Sequence, residues 1–351
     1  MKLFTLILLL ITAGATAFGQ TSDARISGNF QIDAQYYQKD SAIGAEEVDQ
    51  KILSNSFLYL NYSMGNFNAG LRYEAYLDPL LGFDQGYKGS GIAYRFVEFN
   101  TDVFSATAGH FYEQFGSGLI FRAYEERQLG VDNAVDGIRV KFRPADGISF
   151  TGIYGRQRLY WGLGEGIIRG GDLDLNVNDL FTELLPSDIQ LNIGGSVISK
   201  FQPDNEPFYN LPENVLSYST RAAVAGGNYT VEAEYAYKYN DPNATNFYNF
   251  NPGTGILLSA SYFFPGFGIS FDYHRIDNMD FRSDRNALEN RLLLNFFPPQ
   301  TKLHTYSLAT IYPFSTQLNG ETGIQGEITY TFSKGTALGG EYGTTLSLNY
   351  S

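Results

Sequence analysis

Apolar and polar positions alternate with a period of two along most of this chain. In residues 26–36, Ile26, Gly28, Phe30, Ile32, Ala34 and Tyr36 share one parity, and Ser27, Asn29, Gln31, Asp33 and Gln35 share the other. Residues 67–77 set Phe67, Ala69, Leu71, Tyr73, Ala75 and Leu77 against Asn68, Gly70, Arg72, Glu74 and Tyr76. Residues 229–238 and 324–332 repeat the pattern, the latter with Ile324, Gly326, Ile328, Tyr330 and Phe332 against Gln325, Glu327, Thr329 and Thr331. Successive side chains of a strand point to opposite faces, so the pattern predicts strands with one apolar and one polar face. About seventeen can be placed, near 25–37, 54–64, 67–77, 91–99, 103–112, 136–143, 148–157, 165–176, 188–200, 215–226, 229–238, 255–263, 267–275, 289–297, 302–312, 321–332 and 336–350. One short helix is expected where Asn178-Asp179 caps Leu180 to Leu185.

The connections alternate in length. Short turns are expected at Gly65-Asn66, Asn100-Thr101-Asp102, Pro144-Ala145-Asp146, Gly226-Gly227-Asn228, Pro265-Gly266, Pro298-Pro299 and Ser333-Lys334-Gly335. Longer segments near 38–53, 78–90, 113–135, 201–214, 239–254 and 276–288 lie between them. Outer-membrane barrels pair short periplasmic turns with long extracellular loops, whereas a soluble sandwich has no reason to segregate its loops. The fold class expected is therefore all-β, a transmembrane antiparallel β-barrel of about 16–18 strands. Single-chain bacterial barrels have even strand numbers, so a count of about seventeen points either to a miscount or to the front part of a larger barrel. Truncation is the favoured of these, because residues 336–350 keep their alternation to the end.

The first residues suit export. Met1-Lys2 is a short basic start, Leu3 to Ile11 is almost wholly apolar, and Ala15-Thr16-Ala17 gives a small-x-small cleavage site. Residues 1–20 thus read as a signal peptide and 21–351 as the barrel, located in the outer membrane. Composition fits: 26 Tyr, 28 Phe and 38 Gly accompany only 17% charged residues, against the usual ~25%. These values also suit a secreted β-sandwich, so loop segregation carries the distinction. Cysteine is absent, so no disulfide supports the fold. The net charge of −13, or −14 once Lys2 leaves with the signal, argues against nucleic acid as a partner.

Residues 109–143 mix apolar residues, both charges and several glycines. A loop splayed into water has no need of Leu119, Ile120 and Phe121, so this segment is expected to fold into the barrel mouth. Arg122, Glu125, Glu126, Arg127 and Asp132 would then line a constriction, where opposed charges orient polar solutes. In the following strand Ile138, Val140 and Phe142 alternate with Arg139, Lys141 and Arg143. A cation at the bilayer midplane costs about 2–4 kcal/mol, so Arg139 and Lys141 must face water. Arg72, Glu74, Arg95 and Glu98 are expected to share that lumen. Aromatic loop residues, Tyr160, Trp161, Tyr209, Phe247, Tyr248 and Phe250, suit interfacial girdles better than sugar or peptide capture.

Enzyme chemistry is not expected. His110, His274 and His304 are the three histidines, and neither His110 nor His274 sits in a recognisable nucleophile–base motif. There is no Cys/His metal cluster and no phosphate loop. Gly162-Leu163-Gly164-Glu165-Gly166 lacks the strand–helix context of a dinucleotide site, so no cofactor or metal is expected.

Three stretches carry a resemblance: 110–118 (HFYEQFGSG), 169–176 (RGGDLDLN) and 340–344 (GEYGT). On these the chain resembles an uncharacterised family of Bacteroidota outer-membrane β-barrel proteins, over most of the mature length. The resemblance implies location and fold; the family has no established activity, so no catalytic residue transfers. Its members are longer, which agrees with truncation. No plug domain precedes the first strand, which counts against a TonB-dependent transporter. Two functions remain open: a porin-like channel or transporter for small polar solutes, and a non-conducting scaffold barrel holding a surface or secretion partner. Outer-membrane lipid is the partner common to both.

Overall fold

The structure, a computed structural model, describes residues 24–302 and 315–351. It is all-β. Fifteen strands form one antiparallel sheet in which each pairs with its neighbours in chain order. They are β1 (Ala24–Tyr36), β2 (Ile52–Met64), β3 (Phe67–Asp78), β4 (Gly89–Asn100), β5 (Phe104–Phe111), β10 (Val135–Ala145), β11 (Ile148–Leu159), β12 (Gly162–Asn176), β13 (Gln190–Phe201), β14 (Asn214–Ala225), β15 (Tyr229–Lys238), β16 (Gly253–Phe264), β17 (Phe267–Asp277), β18 (Gly320–Phe332) and β19 (Thr344–Tyr350). Four two-residue strands, β6 (Glu113–Gln114), β7 (Arg122–Ala123), β8 (Glu125–Glu126) and β9 (Val131–Asp132), form two small ladders between β5 and β10. Among the described residues β1 and β19 do not pair with each other, so the ring is open between them.

Register confirms the two faces. Phe30 stands opposite Leu58, which stands opposite Tyr73, all on the outward face; Gln31, Phe57 and Glu74 align on the inward face. Outward residues such as Ile138, Phe142, Phe150, Leu173, Val197, Ile256 and Ile328 are exposed although apolar. Inward residues mix buried apolar side chains such as Ile153, Ile168 and Ile198 with buried polar ones such as Gln157, Lys200 and Lys238. This is the antiparallel wall that the alternation predicts, coiled around its own polar face.

Three expectations need correction. Residues 289–297 are not a wall strand. They fold inside the sheet and bury Leu292, Leu294 and Phe297 against the inner wall. Their sequence lacks a polar parity, since Leu292-Leu293-Leu294 is apolar throughout, so one face cannot be left to water. The helix at the β12–β13 turn spans Val177–Leu180 only, capped by Asn176, whose side chain accepts from Asp179 N at 3.1 Å. The last strand starts at Thr344, because 336–343 form a turn rather than wall. The expected signal peptide, and most of the expected strand 302–312, lie outside the described residues. Among the described residues the sheet therefore holds fifteen strands, two fewer than the about seventeen the alternation suggests.

Candidate functional site

Among the described residues, two connections contribute to the apolar packing of the interior. The first, 112–134, joins β5 to β10 and turns inward, as Leu119, Ile120 and Phe121 predict. Phe115, Leu119, Ile120 and Phe121 are fully buried. They pack on inward wall residues Ile153, Ile168, Ile198, Val215, Ala236 and Ile276. The second, 278–302, joins the same cluster through Met279, Phe281, Leu294 and Phe297.

Buried backbone groups need partners, and the two segments supply them to each other. Arg122 N donates to Leu294 O at 2.7 Å, and Phe296 N to Gly118 O at 2.9 Å. Asn133 Nδ2 and Gln157 Nε2 both donate to Leu293 O, at 3.1 and 2.8 Å. The wall makes room where backbone lies directly on it. A Cβ on Gly166 would stand 1.8 Å from Ser283 O, and one on Gly255 2.6 Å from the Phe297 ring. No sequence signal separated these glycines from those in turns.

The tip of the first segment reaches the opposite wall. Ser117 N donates to Glu234 Oε2 at 2.8 Å, and Ser117 Oγ donates to the same oxygen. Gly116, at φ 52°, brings the backbone close enough that a Cβ would meet the Glu234 carboxylate at 2.8 Å. Neither Ser117 nor Glu234 is legible as a pair from sequence, because alternation gives a residue's face but not its partner across the interior.

The expected site residues fall into several groups. Arg72, Glu74, Glu125 and Asp132 do converge, in a buried cluster completed by Arg158. Arg72 Nε lies 2.6 Å from Glu74 and its Nη1 3.0 Å from Glu125. Asp132 pairs with both Arg72 and Arg158, and accepts from Tyr112 Oη at 3.0 Å. A register shift between Arg156 and Arg158 turns Arg158 inward, which simple alternation does not foresee. Burial pushes the Glu125 carboxyl up to about 7, opposed by Arg72 and reinforced by Asp132.

Arg127 lies over the rings of Phe57 and Tyr59 and pairs with Glu125 at 2.7 Å. Arg122 lies between Tyr124 and Phe296, 4.5 and 4.2 Å from the ring centres. Glu126 is exposed, opposite Val131 in the β8–β9 ladder. Arg139 and Lys141 face inward as expected: Arg139 meets Glu98 at 3.0 Å and Glu113 at 3.3 Å, and Lys141 meets Glu113 at 2.7 Å. These charges thus anchor the inward segment to the wall more than they line free space.

Arg95 does not belong to this interior. It stands opposite Leu71 on the outward face and pairs with Asp136 at 3.2 Å. Arg95 and Glu98 differ in parity, so they cannot share a face on one regular strand. Of the histidines, His110 contacts the Arg95 backbone, His274 pairs with Glu321 at 2.7 Å, and His304 lies outside the described residues. Tyr160 and Trp161 pack with Tyr87 and Tyr76, whereas Tyr209 stacks on Tyr248 at 4.8 Å.

Free space remains on the short-turn side of the segment tip. A cavity of about 410 Å³ there is lined by Asp172, Asp174, Glu232 and Glu234, with Arg221, Ser117, Gln114, Asn192, Leu257 and Ser259. A second, about 470 Å³, lies between Asn61, Asn68, Tyr94, Glu98, Thr107 and Arg139. The arrangement can hold hydrated polar solutes against charged walls beneath a packed constriction.

The profile of a family of unknown function, DUF6029, matches residues 1–351. The chain belongs to DUF6029. No curated protein matches this DUF6029 chain. Among solved structures it is similar to the outer membrane protein opdK from Pseudomonas aeruginosa, with a TM-score of 0.39, 8% identity and 94% of each chain covered. A BenF-like porin from Pseudomonas fluorescens Pf-5 gives a TM-score of 0.40 at 9% identity, covering 94% of the DUF6029 chain and 95% of its own. Salmonella typhi OmpF, in a complex with daunomycin, gives 0.41 at 13% identity, covering 88% and 86%.

Proposed function

We propose that this protein is an outer-membrane, porin-like β-barrel that passes small polar solutes through an interior narrowed by 112–134 and 278–302. The carrying observation is the reach of Ser117 to Glu234 across the interior, which leaves charged cavities beside it. The outward face supports membrane residence. Its exposed Ile, Leu, Val and Phe positions would suit hydrocarbon, and the inward carboxylates and guanidinium groups would not. No catalytic role is assigned.

Conductance of the refolded full chain in planar bilayers tests the reading. Stepwise current above that of the protein-free bilayer is the expected result. A second reading, a non-conducting scaffold, is favoured by one observation, the continuous apolar packing of Phe115, Phe121, Phe281 and Leu294 across the interior. Folded protein that inserts and carries no current would support the scaffold. Location is tested with single cysteines in this cysteine-free chain. Phe208→Cys, on an 88% exposed side chain of a long connection, should react with an impermeant maleimide in intact cells. Gly227→Cys, on a short turn, should react only after lysis.

A further inference from the structure

We propose that the cavity lined by Asp172, Asp174, Glu232 and Glu234 is a binding site for a small organic cation bearing primary ammonium groups. The proposal rests on the porin-like reading of the interior and names the solute class that the cavity favours.

Four carboxylates line this space against one guanidinium. Register places Arg221 directly opposite Glu234 on neighbouring strands, so the two would be expected to pair. They do not. The Arg221 side chain turns the other way, across Gly194, where a Cβ would stand 2.6 Å from its guanidinium carbon. There it meets Asp172 at 2.9 Å, and Arg221 Nε donates to Asp174 at 3.0 Å. Arg221 is therefore spent on β12, and the β15 carboxylates are left without a cation.

Glu234 is the second, independent observation. It is 5% exposed and lines the cavity; one oxygen takes the two Ser117 donors, and Oε1 has no hydrogen-bond partner among the described residues. That oxygen is sealed against Gly116 and holds negative charge at the cavity edge without a donor, a costly arrangement that a nearby ammonium charge offsets, while exposed Glu232 offers the direct acceptor. Glu232, two residues along the same inward face, forms no ion pair among the described residues.

The ligand class follows from shape and chemistry. Among the described residues no group of carboxylates and imidazoles converges as a metal site. The cavity holds about 410 Å³ and includes apolar Leu257 and Ala223, which suit a short carbon chain between charged ends. An anionic solute would meet three uncompensated charges of its own sign.

Reversal potentials across a KCl gradient, with the full chain in planar bilayers, test this. Wild type should prefer K⁺ to Cl⁻, and 1,4-diaminobutane should block the K⁺ current. Glu232→Gln leaves the Ser117 anchor intact. It should lower the permeability ratio, and raise the half-blocking diamine concentration, by at least about twofold. Glu234→Gln should do so more strongly. A current that is non-selective, or equal diamine block in wild type and Glu232→Gln, overturns the site. Absence of any current overturns the porin-like reading instead. Calorimetric titration of the diamine into folded protein in micelles then decides the site by itself. Binding weakened by Glu232→Gln upholds it, and no binding to wild type overturns it.

Discussion

Ser117 gives both its backbone N–H and its hydroxyl to one oxygen of Glu234, 117 positions away in sequence. The contact joins the tip of one inward connection to the wall facing it, so it sets how far that connection crosses the interior. Hydrogen bonds to a charged acceptor contribute about 1.5–3 kcal/mol each, enough to hold a loop tip in place. Glu234→Ala should release the tip without unfolding the wall. Limited proteolysis near residue 117 should speed up, unit conductance should rise, and the heat-sensitive gel mobility of the folded barrel should persist. Unchanged conductance would mean that the tip does not lie on the conducting path.

Strand β10 tests the assignment of faces. Val140 points outward between Arg139 and Lys141, which bind Glu98 and Glu113 inside. Val140→Arg should cost about 2–4 kcal/mol in micelle or vesicle unfolding if it sits near the midplane. Val140→Ile should be nearly silent. Equal stability of wild type and Val140→Arg would place this face in water.

Gly166 tests the second inward segment. Ser283 O would stand 1.8 Å from an added Cβ, and that neighbour is backbone, which cannot rotate aside. Gly166→Ala should therefore lose about 1–3 kcal/mol in urea unfolding, the range seen for overpacked sites. Gly152→Ala is the comparison. Its Cβ would meet only the Phe150 ring at 3.4 Å, an ordinary contact, and stability should hold. Similar loss in both variants would remove Ser283 from the wall.

Glu125 gives the fold a pH dependence with a definite sign. Its carboxyl is raised to about 7 by burial, so the folded state favours the neutral form. A raised carboxyl contributes stability that is full below the unfolded value near 4.5 and lost as pH rises through about 7. Glu125→Gln mimics the neutral form and removes that titration. Wild type should lose stability relative to Glu125→Gln between about pH 4.5 and 7, then run parallel above. A gap that widens toward acid instead would mean that the ion pairs to Arg72 and Arg127 outweigh burial.

Much of the wall is written in the chain as a one-dimensional pattern. The period-two alternation at 26–36, 67–77 and 229–238 names the strands and their faces, because each side chain of a strand has only two directions available. It also forces Arg139 and Lys141 inside. The inward fold of 112–134 is legible for a related reason: Leu119, Ile120 and Phe121 need cover that a solvated loop cannot give. Where local backbone departs from regularity, the pattern fails. Arg158 turns inside at a register shift; Arg95, by contrast, sits outside as its parity relative to Glu98 requires, where charge alone suggested the lumen.

What only the tertiary structure decided is everything that depends on distance across the interior. Residues 289–297 read as one more strand, since an apolar run looks alike on a wall and in a core; the space inside the sheet, and the backbone partners Gly118, Arg122 and Gln157, made them an inner segment. Arg221 opposite Glu234 reads as an ion pair, yet Gly194 opens a path to Asp172 and Asp174, and Glu234, its register partner, is left to Ser117. Alternation fixes the face a residue occupies. Which group it meets there is set by the curvature of the sheet and by competition among partners, neither of which is encoded in any local stretch of sequence.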